Sequence, residues 1–306
     1  MEQFQVHILG CGSALPTTRH FLSSQVVNLK DKLYMIDCGE GTQLQFRAMK
    51  LNFNRLNHIF ISHLHGDHCF GLPGLISTLG LLGRTSDLHV YAQPDAAKIF
   101  PFLLDYFCKE LPFKVFFHSF CSTRSELIFE DHCLKVFTIP LKHRTPSAGF
   151  LFEEKAKSAH IIREMIDFYR IPVSRILAIK SGADFVTPEG ETIPNVRLTK
   201  PPRPPKKYAY CSDTAYYEKI TPIIEGVDLL YHEATFSNED LARAKETYHS
   251  SARQAALIAQ SAHAGKLILG HFSARYPDET VLLNEAKEIF PNTVLASERM
   301  TISMLS

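Results

Sequence analysis

The sequence has no apolar run reaching the roughly 18 residues that a membrane-spanning helix needs, so no transmembrane helix is expected. Residues 1–10 show no basic stretch followed by an apolar one, so no secretory signal peptide is expected. Net charge is nearly absent. With 33 Lys and Arg against 32 Asp and Glu, the formal value is +1, which excludes a strongly basic nucleic-acid coat protein but not a local basic patch. There is no Cys-x-x-Cys pair. The seven cysteines are scattered and odd in number, which fits a reducing compartment better than a disulfide framework. No internal repeat or low-complexity tail interrupts the chain. Its 306 residues, 45 % of them apolar, support a sizeable core in one large domain or two smaller ones.

Histidine is what the sequence has in excess: fifteen, several of them crowded together. Around them the first half alternates between strand and helix patterns. Residues 3–9, 24–28, 32–36, 57–62, 88–92, 114–118, 127–129 and 134–139 read as strands, and 43–50 and 95–106 as helices. This pattern predicts an α/β or α+β sandwich of layers. Further on, 153–170 is charged with helical periodicity, 171–196 is irregular, and 200–207 reads KPPRPPKK. Four prolines in eight positions exclude a central strand or a helix interior there. The segment is either a stiff linker or a basic, extended insertion that touches an anionic partner. Strands resume at 208–211, 229–232 and 267–269, with an alanine-rich helix over 250–264.

The run Ser62-His63-Leu64-His65-Gly66-Asp67-His68 carries four potential metal ligands. Their spacing suits neither one helix face nor one strand face. It suits a loop wrapped around a metal directly after a strand. Imidazole and carboxylate are ligands zinc accepts, and without a cation such crowded polar groups lack partners. Other ligands must come from other strand ends. His143, Asp213 and His271 each follow an apolar strand. With the loop they make five His and two Asp, an inventory for two metals with one bridging carboxylate.

The run His63-Leu64-His65-Gly66-Asp67-His68 matches the HxHxDH signature of the metallo-β-lactamase superfamily. The wider context resembles one branch, the ribonuclease Z family of tRNA 3′-processing endonucleases. The resemblance rests on Asp37-Cys38-Gly39-Glu40-Gly41, Gly71-Leu72-Pro73-Gly74-Leu75 and Pro140-Leu141-Lys142-His143-Arg144. It continues through Ser212-Asp213-Thr214, His232-Glu233-Ala234-Thr235, His249-Ser250-Ser251 and His271-Phe272-Ser273-Ala274-Arg275-Tyr276. These matches run in order along nearly the whole chain. Three places depart from the family pattern. Ser212 stands before Asp213 where Gly is common, Ser251 replaces a common Thr, and residues 169–173 lack a Gly-Pro pair.

The resemblance implies an α/β fold: a single metallo-β-lactamase-like αββα sandwich over residues 1–306, with an inserted protruding arm for tRNA binding over approximately 153–207. It implies that His63, His65 and His143 hold one Zn2+, that Asp67, His68 and His271 hold another, and that Asp213 bridges them. Mn2+ or Fe2+ suits the same donors. The activity implied is removal of the 3′ trailer from precursor tRNA by two-metal activation of water. Cleavage leaves a 3′-hydroxyl on the tRNA and a 5′-phosphate on the trailer. Asp67 is expected to orient or deprotonate the water. His249 is expected to protonate the leaving oxygen, with Glu233 holding its other ring nitrogen. The same resemblance implies a homodimer, while a cytoplasmic location is expected from the cysteine usage and no membrane association from the lack of long apolar runs. The alternative is a hydrolase of this fold acting on a small phosphodiester or another small ester.

Overall fold

The computed structural model describes residues 4–304. Eighteen strands follow in chain order: β1 (Phe4–Gly10), β2 (Ser24–Leu29), β3 (Lys32–Ile36), β4 (Leu56–Phe60), β5 (Leu88–Ala92) and β6 (Val115–Ser119). Next come β7 (Leu127–Glu130), β8 (Leu134–Pro140) and β9 (Ala148–Glu154), then the two-residue strands β10 (His160–Ile161), β11 (Phe185–Val186), β12 (Thr192–Ile193) and β13 (Thr199–Lys200). The last are β14 (Lys207–Cys211), β15 (Leu229–Glu233), β16 (Leu267–Gly270), β17 (Thr293–Leu295) and β18 (Thr301–Ser303). The chain divides into two compact units. The larger holds the chain up to Glu153 and from Lys206 onward, and the smaller spans Glu154–Pro205.

The larger unit contains two seven-stranded sheets, ordered β18-β1-β2-β3-β4-β5-β6 and β17-β16-β15-β14-β9-β8-β7. Side-chain alternation explains why they stack. In β3, Tyr34 and Ile36 join the core shared by both sheets, while Leu33 and Met35 face the other way. Phe60 of β4 meets Phe150 and Phe152 of β9 at ring separations of 5.6 and 5.5 Å. Each such fully buried side chain contributes about 1.5–3 kcal/mol. The outward residues of the first sheet are covered by helices Thr42–Ala48, Gly71–Leu81 and Ala96–Phe107, through Phe46, Leu72, Leu75, Ile76, Phe100 and Leu104. The second sheet carries helices Ala252–Ser261 and Thr280–Lys287, whose Ala255, Ala259, Leu282 and Ala286 are buried. Small alanines allow this close approach. The result is the αββα sandwich of the metallo-β-lactamase fold.

In both sheets the pairs that lead to the ligand loops are parallel: β3, β4 and β5 in one, β14, β15 and β16 in the other. Their C-terminal ends therefore lie along one edge, where α/β sheets collect functional loops.

The smaller unit is built around Ile171, Ile179, Phe185, Ile193 and Leu198. The expected helix over 153–170 is mostly not one. β9 continues to Glu154, His160–Ile161 pairs with Thr199–Lys200, and only Arg163–Phe168 is helical. Only Glu153 and Glu154 of that stretch belong to β9, and 155–159 are in neither helix nor strand. The stretch 171–196, read as irregular, contains helix Val173–Lys180 and the hairpin β11–β12. Pro172 sits at the start of that helix, where a missing N–H costs nothing. In the KPPRPPKK segment, Arg203 pairs with Glu154 at 2.7 Å, Lys206 with Asp228 at 2.6 Å and Lys207 with Glu153 at 3.2 Å. Three of its four basic side chains are therefore already paired, Arg203 within the smaller unit and Lys206 and Lys207 within the larger. Among the described residues, no helix is long and apolar enough to cross a membrane.

Candidate metal centre and active site

The His-Asp run begins where β4 ends; its spacing predicts a loop throughout, but Gly66–Cys69, with Asp67 and His68, forms a short helical turn after His63 and His65. Its start is held by Asp37, at the end of the neighbouring β3. The fully buried Asp37 carboxylate accepts the Ser62 amide at 2.7 Å, the Ser62 hydroxyl at 2.8 Å and the Tyr210 hydroxyl at 2.6 Å. Two glycines let the loop close on its neighbours. A Cβ on Gly39 would stand 2.6 Å from the Asp67 carbonyl oxygen, and one on Gly71 would stand 2.0 Å from the Gly39 carbonyl oxygen. Asp37, Asp213 and His271 each follow a strand with left-handed backbone, at φ 55°, 56° and 59°. Three non-glycine residues in this region carry local strain, which the surrounding packing must hold.

The structure brings all seven predicted ligand residues together. His63 Nε2 lies 3.0 Å from His65 Nδ1, and His143 Nε2 lies 3.4 Å from the same atom. His68 Nε2 lies 3.4 Å from His271 Nε2, and Asp67 Oδ2 lies 3.4 and 3.5 Å from these two nitrogens. Asp213 stands between the two groups. Its Oδ1 is 3.1 Å from His68 Nε2 and 3.0 Å from His271 Nε2, while its Oδ2 is 3.5 Å from His63 Nε2 and 3.7 Å from His143 Nε2.

The far nitrogens decide what the near ones can do. His68 Nδ1 lies 2.7 Å from Asp37 Oδ2, to which it donates. His143 Nδ1 donates to the Tyr248 carbonyl at 3.0 Å. Thr235 gives its own proton to Glu233 Oε2, so His271 Nδ1, 2.9 Å away, donates to the Thr235 hydroxyl. Ser62 likewise gives its proton to Asp37, so His63 Nδ1 donates to the Ser62 hydroxyl at 3.1 Å. With the N–H placed outward by this network, the inward nitrogens present lone pairs, the form a metal binds. Burial, together with the neighbouring charge of His68, pushes His63 well below the usual histidine range, so it stays neutral. His68 goes the other way. Burial alone would lower it, but Asp213, Asp67 and Asp37 raise it well above. That spot calls for positive charge, and the donor set, neutral imidazoles plus carboxylates, suits a divalent cation.

The two remaining site residues form a pair beside the cluster. His249 Nδ1 is 2.9 Å from Glu233 Oε1. Glu233 is fully buried and also accepts the Thr214 amide at 2.6 Å and the Ser250 amide at 3.2 Å. Burial would lower the His249 pKa, but the Glu233 carboxylate outweighs it and pushes the value up to about 9. His249 sits two residues before Ser251, which caps helix Ala252–Ser261 in a reciprocal box with Gln254. The Ser in place of Thr therefore keeps the capping hydroxyl. His232 is buried with Nδ1 2.8 Å from the Glu233 carbonyl and does not line the cleft.

The cleft over the cluster is lined by His65, Asp67, His143, Asp213, His249 and His271, and also by Arg144, Arg243 and Arg275. Arg275 is held by Asp240 at 2.8 Å and lies 5.2 Å over the Phe236 ring. Sequence reasoning did not assign a role to Asp37, Thr235 or the three arginines. Asp37 and Thr235 lay within the quoted motifs, but nothing local showed that they orient His68 and His271.

Comparison with known proteins follows the same lines. A ribonuclease Z from Bacteroides thetaiotaomicron is 62% identical over 304 residues, covering 99% of this chain and 96% of the relative. The crystal structure of the short form of human tRNase Z superposes with a TM-score of 0.73 at 26% identity, covering 99% of this chain and 100% of that one. The metallo-β-lactamase fold protein YhfI from Bacillus subtilis superposes with a TM-score of 0.69 at 17% identity, covering 99% and 100%, a likeness of fold. The family model described as "Anti-Pycsar protein Apyc1" matches residues 4–157 and so stops short of Asp213, Glu233, His249 and His271. With sequence identity this high over its full length, the chain belongs to the ribonuclease Z family of metallo-β-lactamase-fold endoribonucleases.

Proposed function

We propose that this protein removes the 3′ trailer from precursor tRNA, leaving a 3′-hydroxyl on the tRNA and a 5′-phosphate on the trailer. The observation that carries the reading is the Asp213 carboxylate, with one oxygen toward each histidine group, beside the buried Glu233–His249 pair. His63, His65 and His143 would hold one cation, Asp67, His68 and His271 a second, and Asp213 would span both. The donor set favours Zn2+, and Mn2+ or Fe2+ is accepted by the same groups. When bound, the ions supply an acidified water and neutralise charge on the scissile phosphate.

The side chains do the rest. Asp67 Oδ2 accepts the Ala14 amide at 2.8 Å. Burial would raise its pKa, but the imidazoles of His68 and His271 beside it hold it far below the usual carboxylate range. It is therefore ionised at neutral pH and suited to orient the attacking water as a hydrogen-bond acceptor. His249, with Nδ1 held by Glu233, keeps a proton near neutral pH and delivers it to the departing ribose 3′ oxygen. Arg144, Arg243 and Arg275 line the route of the phosphate backbone.

The unit Glu154–Pro205 is our candidate for the tRNA-gripping arm. It carries nine Lys and Arg against six Asp and Glu, net +3, so the rest of the chain is −2 against a total of +1. A homodimer is supported by the exposed Ile99, Phe102, Tyr106 and Phe107 of helix Ala96–Phe107, an apolar face that a second copy would cover. A cytoplasmic location accords with a tRNA substrate.

The test is incubation of purified protein and added zinc or manganese with a trailer-bearing precursor tRNA, alongside an Asp67→Ala control. A single cut near the tRNA 3′ end, absent in the control, is the expected result. No cut, with a small phosphodiester still hydrolysed, overturns the tRNA reading in favour of a small-ester hydrolase.

A further inference from the structure

Among the described residues, one other group of mixed donors away from the active-site histidines is drawn together from distant parts of the chain: Cys11, His20 and Glu298. Cys11 Sγ lies 3.4 Å from His20 Nδ1 and 3.4 Å from Glu298 Oε1, and His20 Nδ1 lies 3.2 Å from that same oxygen. The three donor atoms form a nearly equilateral triangle. Donors at the corners of a zinc tetrahedron, with bonds of about 2.0–2.3 Å, stand roughly 3.3–3.8 Å apart. The triangle needs only slight expansion to seat a cation.

The surroundings are arranged as around the active-site histidines. His20 Nε2 lies 3.2 Å from Glu279 Oε1, which holds the outer N–H, while Nδ1 faces both Glu298 oxygens at 3.2 and 3.1 Å and gives up its proton to become a ligand when a cation enters. The Phe21 amide donates to Glu298 Oε1 at 2.9 Å and fixes the carboxylate. Cys11 is fully buried. Gly12 permits the approach: a Cβ there would stand 2.8 Å from His20 Cβ. A thiolate, a carboxylate and a neutral imidazole balance a divalent charge.

We propose that Cys11, His20 and Glu298 form a further divalent-metal site of the zinc class, separate from the active-site cluster and distinguished from it by a sulfur ligand. On binding, Cys11 releases its thiol proton and His20 its Nδ1 proton to solvent, and the cation takes their place. The site ties the segment after β1 to the segment before β18. The same segment supplies the Ala14 amide to Asp67 and the Cys11 carbonyl to the Phe272 amide, next to His271. A cation here anchors the loop that holds one wall of the active site.

The proposal concerns a ligand set that shares no residue with the active-site cluster, so it stands or falls on its own. The seven active-site ligands contain no sulfur, which makes sulfur coordination diagnostic. Protein prepared with Co2+ is expected to show a thiolate-to-cobalt charge-transfer band. Cys11→Ser is expected to lose that band and one metal equivalent per chain, while the remaining metal stays bound. X-ray absorption at the zinc edge of the unsubstituted protein provides a measurement that does not depend on how the variant folds. A sulfur shell at about 2.3 Å is expected. Absence of sulfur scattering at full zinc loading, or a band that survives in Cys11→Ser, overturns the proposal and leaves a hydrogen-bonded network. Loss of active-site metal alone would bear on the two-metal reading and leave the sulfur signal untouched.

Discussion

The two units of this chain solve opposite problems. In the larger, polar side chains are taken out of water and several ligands are steered by a partner: Asp37 for His68, Thr235 for His271, the Tyr248 carbonyl for His143. That precision is possible because the ligands sit on strand ends backed by two seven-stranded sheets. The smaller unit has a core of only five buried apolar residues and leaves Phe168, Val173, Leu177 and Val196 at least 75% exposed. It carries net positive charge and no dense polar cluster. Chemistry needs rigid placement of a few atoms, whereas gripping a folded RNA needs reach, charge and some apolar surface. The proposed division of labour, catalysis in the larger unit and tRNA grip in the smaller, accords with what each unit can bury.

The largest expected effect comes from the point where the two histidine groups meet. Asp213→Ala should abolish cleavage of precursor tRNA and of a small phosphodiester alike, with metal content falling in parallel. If only tRNA cleavage were lost, Asp213 would belong to recognition and the contrast between the units would fail.

Excising 156–194 and closing the gap with a short flexible linker should separate the two functions. Precursor tRNA cleavage should fall by on the order of 100-fold through a higher KM, as several phosphate contacts vanish, with little change for a small diester. Unchanged tRNA cleavage would remove the arm assignment.

Next in size is His249→Ala. Its expected cost is about 100-fold in kcat on tRNA, with metal content retained. A diester with an acidic phenol leaving group needs no proton donor, so the loss there should be much smaller. Equal losses on both substrates would make His249 a positioning residue.

The smallest effect on chemistry should come from inside the arm. Ile193→Ala removes a fully buried side chain from the five-residue core and should destabilise that unit by about 2–5 kcal/mol. Hydrogen exchange should rise across 160–200 while the sheets stay protected, and small-diester hydrolysis should not change. Spread of the effect into the sheets would show that the units unfold together.

The loop ligands His63, His65, Asp67 and His68 were legible because they lie within six residues and no ordinary helix or strand uses that spacing. His143, Asp213 and His271 were legible for a different reason, each being a polar residue at the end of an apolar strand. The strand β9 was not seen, since its first residues are small and its last are acidic. Helices Val173–Lys180 and Leu241–Thr247 were also missed. Both are short, and propensity carries little weight at that length.

By itself, the sequence determined the donor types, the order of the strands that carry them and the family to which they belong, because these are local patterns of residue type. Only the tertiary structure decided which nitrogen of each histidine faces inward, that Asp213 turns one oxygen to each group, and that Cys11 and His20 meet Glu298 across more than 270 positions of chain. Those outcomes depend on hydrogen bonds and close approaches between elements far apart in sequence. Their register is set by the packing of one sheet on the other, and no local window contains both partners.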